Sequence, residues 1–244
     1  MYTRHADKGA WKVNEQELRN ALPADEAELI LSVLKNEFSD MKEIIPLKLD
    51  GLERSLRLGD SVYEDLPPRS VLIALDSGKD RAELTRALAV ARIAQQEKQQ
   101  RGENKKRVDI LSTGAKELTS LLADSDPSTW GPYAQMMQDE GISEEEAIVR
   151  WLKDMNKIES GVDPVKHPKE SVERYQKLLQ ILQASVTSKQ VPVVILGIGH
   201  SGPLGQMKYE KQGKEISSQE TPKFCEMFTL NKEGELVSTK QVGI

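Results

Sequence analysis

Two short apolar runs, each followed at once by polar and glycine residues, constrain the fold of this sequence more than any other feature. The first is Ser70–Leu75 and the second is Val191–Ile198. Runs of this length without polar alternation are typical of strands buried on both faces of a parallel sheet. The first run leads directly into a predicted helix over about residues 80–99. This strand, turn and helix succession is the unit from which parallel sheets are built, so we predict an α/β protein.

The remaining elements are predicted from the same patterns. Strands and helices alternate along most of the chain, which predicts a three-layer α/β/α fold with a mostly parallel central sheet. A single domain is expected over residues 1–244, with a helical insertion at about 112–168 that Asp126-Pro127 and Gly131-Pro132 interrupt. The further predicted elements are strands over 1–5 and 108–111, helices over 23–38, 143–157 and 170–184, and a C-terminal β-hairpin of 224–230 with 235–242.

Three stretches give a weaker pattern. Residues 6–22 are polar and are predicted to be a loop with the start of a helix. Residues 41–69 contain Gly51, Gly59 and Pro67-Pro68, which interrupt any regular element, and we assign none there. Residues 208–220 are rich in lysine and are predicted to be a mobile patch.

Composition excludes several classes of function. The 244 residues carry a net charge of -5 and only 5% aromatic residues, which argues against a phosphate-backbone or base-stacking surface for nucleic acid. The one cysteine, Cys225, rules out an internal disulfide and a cysteine-rich metal site, and we expect it to be a packing residue. No apolar run approaches the roughly 20 residues of a membrane span. We expect no signal peptide and a cytoplasmic location. The first predicted strand is short for a core strand, so we also expect that this sequence begins late.

Polar residues that can bind an anion stand at the ends of three predicted strands. Arg4-His5 ends the first strand, Ser77 to Arg81 follow the strand of 70–75, and His200 ends the strand of 191–198. In open α/β sheets, ligands bind outside the carboxyl ends of the strands. We therefore predict one pocket with two imidazoles, two guanidiniums and a helix N-terminus, which suits a phosphate.

These residues carry a resemblance to a known family. Arg4-His5-Ala6 resembles the Arg-His signature of the histidine phosphatase (phosphoglycerate mutase-like) superfamily. Ser77, Arg81, Ala82 and Thr85 are spaced as in its second motif, and Gly199-His200-Ser201 resembles its closing Gly-His segment. Alanine after the first histidine is nearest the phosphohistidine-phosphatase-like branch. The insertion at 112–168 has no counterpart in the resemblance.

The resemblance implies a two-step phosphoryl transfer. His5 would attack phosphorus and form a phosphohistidine that water hydrolyses. Arg4 and Arg81 would hold the phosphoryl oxygens, with His200 as a further donor and Ser77 as a phosphate-binding residue. The scheme implies no metal and no cofactor, and the sequence contains no acidic cluster with metal-ligand spacing.

The general acid is where the chain departs from the family pattern. Thr113 stands where many relatives carry a glutamate, and Ser201 stands where another branch carries an aspartate. Glu117 is the preferred substitute, with Asp124 and Asp126 as alternatives. A good leaving group would make the acid dispensable.

Several functions stay open at this point. The first is a phosphatase acting on a phosphorylated small molecule or a phosphoprotein, the second a phospho-ligand binding module without turnover, and the third a phosphomutase. The alternative without a functional site is that Arg81 is a surface residue of a charged helix and that His200 caps a strand. The occurrence of three motifs in order favours the phosphatase.

Overall fold

The computed structural model describes most of the chain, and statements about the structure refer to the described ranges. These ranges are residues 1–4, 8–39, 44–100, 106–112, 127–157, 172–173, 176–178, 180–182, 191–213, 215–231 and 235–242.

The described residues form eight strands and seven helices. The strands are β1 (Tyr2–Arg4), β2 (Lys8–Lys12), β3 (Ile44–Leu47), β4 (Arg69–Asp76), β5 (Arg107–Ser112), β6 (Val193–Gly199), β7 (Glu226–Leu230) and β8 (Leu236–Gln241). The helices are α1 (Glu15–Ala21), α2 (Ala24–Glu37), α3 (Leu49–Asp65), α4 (Asp80–Gln99), α5 (Pro127–Asp139), α6 (Glu144–Lys157) and α7 (Ser201–Gln212). Residues 172–173, 176–178 and 180–182 are also helical.

The central sheet confirms the predicted α/β fold. Six of the described strands pair in the order β5-β4-β6-β1-β7-β8. Strands β5, β4, β6 and β1 run parallel, whereas β7 and β8 form the antiparallel C-terminal hairpin. Strands β2 and β3 form a separate antiparallel pair.

Both faces of the sheet are covered, which gives the three layers. Leu72, Leu196 and Ile198 point to one face and join a core with helices α2, α3 and α4. Leu75 and Ile195, on alternate positions of the same strands, point to the other face. Their partners there come from α7 and the helical residues near 172–182, namely Leu204, Met207, Val172 and Leu178. Burial on both faces explains the continuous apolar runs of the sequence.

Helix α3 and strand β3 occupy the stretch that the sequence left unassigned. Gly59 lies inside α3 rather than at its end, and a Cβ there would lie 2.6 Å from the Ala89 carbonyl oxygen of α4. The missing side chain therefore allows the backbones of two helices to approach closely. Strand β2, in the stretch predicted to be loop, forms because it pairs with β3. Helix α1 begins after Asn14, whose side chain accepts from the Gln16 and Glu17 N–H groups.

Helices α5 and α6 occupy the described part of the predicted insertion. Ser143 precedes α6 as predicted, and its hydroxyl accepts a hydrogen bond from the Glu146 N–H at 3.1 Å. The predicted interruption at Gly131-Pro132 is wrong, because α5 continues through Pro132. Pro132 lies in the first half of α5. The next residue, Tyr133, joins α5 to α6, because its hydroxyl donates a hydrogen bond to Asp154 of α6 at 3.0 Å. Whether these helices are an insertion into one domain stays a prediction.

The prediction of a mobile lysine-rich patch is wrong for its first part, because residues 208–212 belong to helix α7. The Lys208 ammonium is buried, lies 2.7 Å from a Glu226 carboxylate oxygen, and stands 5.6 Å from the centre of the Phe228 ring. Helix α7 is thereby joined to the hairpin. The predicted packing role of Cys225 is confirmed, since it is fully buried in the core just before β7.

Candidate functional site

The register of the parallel strands brings three strand ends to one edge of the sheet. Arg4 of β1 pairs with Gly199 of β6, and Asp76 of β4 pairs with Ile198 of the same strand. Ser77 and His200 therefore follow directly at the ends of adjacent strands. The backbone of Arg4 ends beside them on the other side of β6.

Three of the predicted site residues meet at this edge. The Ser77 hydroxyl lies 2.7 Å from Nε2 of His200. Nη2 of Arg81 lies 3.4 Å from Nδ1 of the same ring. Ser77 and His200 are only 4% and 3% exposed, respectively, so their contact is buried, whereas the contact of Arg81 with His200 is part-buried. The structure thus brings together residues that are more than a hundred positions apart in the sequence.

The chemistry of the partners limits how the His200 ring can take part in these contacts. A guanidinium can only donate hydrogen bonds, so the contact with Arg81 requires Nδ1 to accept. A neutral imidazole with an accepting Nδ1 carries its proton on Nε2, which then donates to the Ser77 oxygen. Ser77 and Arg81 thus contact the two ring nitrogens of His200, an arrangement that favours the Nε2–H tautomer.

Two helices begin at this edge. Helix α4 follows Lys79 and helix α7 follows His200, and neither N-terminus is capped by a side-chain hydrogen bond from the preceding residue. The first N–H groups of a helix and its dipole both favour an anion. In addition, Nε of Arg81 is buried and has no hydrogen-bond partner among the described residues. Guanidinium donors and helix N-termini therefore converge beside His200.

A buried ion pair lies next to this cluster and was missed by the sequence interpretation. Oδ2 of Asp76 accepts a hydrogen bond from Nε of Arg86 at 2.6 Å. Oδ1 of Asp76 accepts one from the Gly78 N–H at 2.7 Å. Nη1 of Arg86 also donates to the hydroxyl of Ser112 at the end of β5. An aspartate directly after a buried strand, with an arginine ten residues later in the following helix, is the signal that could have indicated this pair.

Two predicted catalytic residues lie outside the described residues. They are His5, the predicted nucleophile, and Glu117, the preferred general acid. The alternatives Asp124 and Asp126 also lie outside, as does the side chain of Arg4, whose backbone is described. Ser201, which stands where one branch of the resemblance has an aspartate, is the first residue of α7.

The carboxyl of Glu83, in the first turn of α4, has a raised pKa. Desolvation is the main cause, and the neighbouring charge of Asp76 adds to it, whereas Arg86 opposes it. The described residues include no group of three or more His, Cys, Asp or Glu side chains placed to hold a metal ion. Within the same ranges, no helix is long and apolar enough to cross a membrane.

Comparison of the chain with models of known protein families found no match, and comparison with curated proteins found none either.

Proposed function

We propose that this protein is a phosphatase that hydrolyses a phosphomonoester or a phosphohistidine through a phosphohistidine intermediate on His5. The observation that carries the proposal is the cluster of Ser77, Arg81 and His200, with contacts of 2.7 and 3.4 Å at the carboxyl edge of the sheet. The spacing of these residues in the sequence is that of the histidine phosphatase motifs, and the fold brings them to the edge where α/β proteins bind ligands.

The electrostatics of the cluster favour a phosphoryl group as the ligand. The planar guanidinium of Arg81 can bind two phosphoryl oxygens at once and fix their orientation. The N-termini of α4 and α7 add further donors and positive potential. Positioned donors of this kind stabilise the charge that develops on equatorial oxygens during phosphoryl transfer.

The nucleophile in this proposal is His5, one residue beyond the end of β1. Strand β1 is parallel to β6 and in register with it up to Gly199, the residue before His200. In the first step, an imidazole nitrogen of His5 forms a bond to phosphorus while the bond from phosphorus to the leaving oxygen breaks. The leaving oxygen takes a proton from a general acid, for which Glu117 stays the prediction.

In the second step, water attacks the phosphohistidine and releases inorganic phosphate. The bond between nitrogen and phosphorus breaks, and His5 returns to its starting form. We propose that no divalent metal and no cofactor take part, because Arg4 and Arg81 supply positive charge at the phosphoryl group. A cytoplasmic setting and a phosphorylated small molecule or phosphoprotein as substrate belong to the same proposal.

A second candidate is a phospho-ligand binding module without turnover. The observation that favours it is the pair of departures at the general acid, Thr113 and Ser201 in place of carboxylates. Such a module would use the same pocket and bind phosphate, but it would not break the ester bond. Turnover therefore separates the two candidates.

Hydrolysis of an aryl phosphate tests the proposal, since its good leaving group needs little help from an acid. The assay is run with and without a chelator, on the wild-type protein and on Arg57→Ala as a control. Arg57 is a helix α3 residue that pairs with Glu26 rather than with the site. We expect turnover that the chelator and the control leave unchanged. Phosphate binding without turnover would support the binding module, and turnover restored only by magnesium would contradict the metal-free mechanism.

A further inference from the structure

Asp76 is a buried charge at a position where the strand pattern calls for an apolar residue. Along β4 it follows Leu72 and Ala74 on the same face, and all three are at most 1% exposed. Burying a carboxylate is costly unless it is paired and hydrogen-bonded. Both Asp76 oxygens are indeed used, one by Arg86 and the other by the Gly78 N–H.

The two hydrogen bonds of Asp76 act on different elements. The bond to the Gly78 N–H closes the turn after β4, in which Gly78 has a φ of +69° that favours glycine. Ser77 lies inside that closed turn, and its hydroxyl contacts His200. The position of the Ser77 hydroxyl therefore depends on the carboxylate of Asp76.

The bond to Arg86 acts on helix α4. Arg86 is fixed on one side by Asp76 at the end of β4 and on the other by the Ser112 hydroxyl at the end of β5. A planar guanidinium held at two nitrogens restricts both rotation and sliding of the helix that carries it. Arg81 lies five residues earlier on the same helix, so its position follows from that of Arg86.

We propose that Asp76 and Arg86 are the positioning residues of the phosphate pocket. Asp76 holds the turn of Ser77, Arg86 holds the helix of Arg81, and the two together set the orientation and tautomer of His200. This inference rests on the proposed function for the identity of the ligand, but the arrangement of His200 can be measured without it.

A purely structural role makes a different prediction. Replacing both members of a buried ion pair by apolar residues of similar volume is often neutral or stabilising, whereas removal of one member is destabilising. If the pair served stability alone, an apolar pair would restore the protein fully. If the pair positions the pocket, the apolar pair restores the fold but not the arrangement of Ser77, Arg81 and His200.

The experiment compares two double variants, each of which removes one ion pair that helix α4 makes with a neighbouring element. The test variant is Asp76→Leu with Arg86→Leu, and the control is Asp60→Leu with Arg92→Leu, a part-buried pair of similar length, 2.7 Å, that joins α3 and α4. Two quantities are measured on each folded protein. One is the Kd for inorganic phosphate, and the other is the ¹⁵N signal of the His200 imidazole, assigned through its loss in His200→Asn.

We expect the test variant to bind phosphate at least about tenfold more weakly, the loss expected when one positioned hydrogen bond to a charged group goes. We also expect its His200 signal to shift from the Nε2–H form to a mixture of tautomers. The control keeps both values. A folded test variant with the wild-type Kd and the wild-type His200 signal would overturn the inference.

Asp76→Asn serves if the double variant does not fold. The amide oxygen can still accept from the Gly78 N–H, but the charge opposite Arg86 is lost. We expect a mixed His200 signal and weaker phosphate binding, and wild-type values would overturn the inference here too. If the wild-type protein binds no phosphate, the proposed function fails, while the His200 signal still decides whether Asp76 and Arg86 position the ring.

Discussion

Helix α4 makes two ion pairs of nearly the same length, and they have different surroundings. Nε of Arg86 meets Asp76 at 2.6 Å, and Nε of Arg92 meets Asp60 at 2.7 Å. Asp76 is the last residue of β4 and accepts from the Gly78 N–H of the turn that follows, next to the candidate site. Asp60 lies inside helix α3, whose backbone hydrogen bonds and close packing at Gly59 already fix its place. The same chemistry therefore positions a turn in one case and joins two rigid helices in the other.

The comparison has a consequence for mutagenesis. Changes at Asp76 and Arg86 are expected to affect the pocket, whereas changes at Asp60 and Arg92 are expected to affect stability. Activity per folded molecule and free energy of unfolding separate the two effects, and both are measured for each variant below.

The largest effect is expected for His5→Ala. Removal of a catalytic nucleophile leaves only binding and electrostatic contributions, so aryl phosphatase turnover is expected to fall by at least about a thousandfold. The free energy of unfolding is measured in parallel and is expected to change little. Turnover within about twofold of wild type would show that another group attacks phosphorus.

Arg81→Ala is expected to have the next largest effect on activity. Loss of one positioned donor to a developing charge costs about a hundredfold or more in kcat. Arg81→Lys keeps the charge but not the planar fork, and we expect it to recover only part of the loss. Steady-state kinetics of both variants check this, with Arg57→Ala as the control, and a fully active Arg81→Ala would exclude Arg81 from the pocket.

Arg92→Ala, further along α4, is expected to lower stability and to leave activity unchanged. It leaves the Asp60 carboxylate and the buried Glu26 without one of their partners. We expect the free energy of unfolding to fall by about 2 kcal/mol, less than for a fully buried pair because Asp60 is 21% exposed. Denaturant unfolding measures the loss, and turnover per folded molecule stays at the wild-type value. A loss of turnover without a loss of stability would contradict the distinction drawn between the two ion pairs.

The smallest effect is a pH-dependent one at Glu83. Its raised pKa means that the folded state favours the protonated carboxyl, so ionisation destabilises the fold as pH rises through the folded pKa. Glu83→Gln removes that cost and is expected to stabilise the protein at neutral pH, by no more than about 0.5 kcal/mol because solvent screens this partly exposed carboxyl. Below the ordinary pKa of 4.5 the carboxyl is protonated in both states, and the gain should vanish. Unfolding measured at several pH values tests this, and a gain at acidic pH only would reverse the sign.

The central strands β4 and β6 were predictable from the sequence because they are covered on both faces. Runs such as Ser70–Leu75 contain no competing pattern, and the C-terminal hairpin also followed from its sequence. Helix α3 was not predictable, because Gly59 is a usual sign of a break. Only the approach of Ala89 from a distant helix explains why a glycine stands inside α3.

The candidate site was predictable in part. Ser77, Arg81 and His200 stand at strand ends in the sequence, and strand ends meet at one edge of a parallel sheet. The pairing of Asp76 with Arg86 was missed, because Asp76 ends an apolar run and Arg86 lies in a charged helix, where charged residues are usually solvated. Their pairing depends on the packing of α4 against β4 and β5, which local patterns do not specify.

The most direct test of the phosphatase proposal is a rapid-quench experiment with a labelled aryl phosphate. A bond between phosphorus and a histidine nitrogen breaks down in acid and survives base, whereas a serine phosphate resists acid. The account predicts a label that is stable in base, labile in acid, located on His5 and absent from His5→Ala. An acid-stable label, or the same label in His5→Ala, would contradict it.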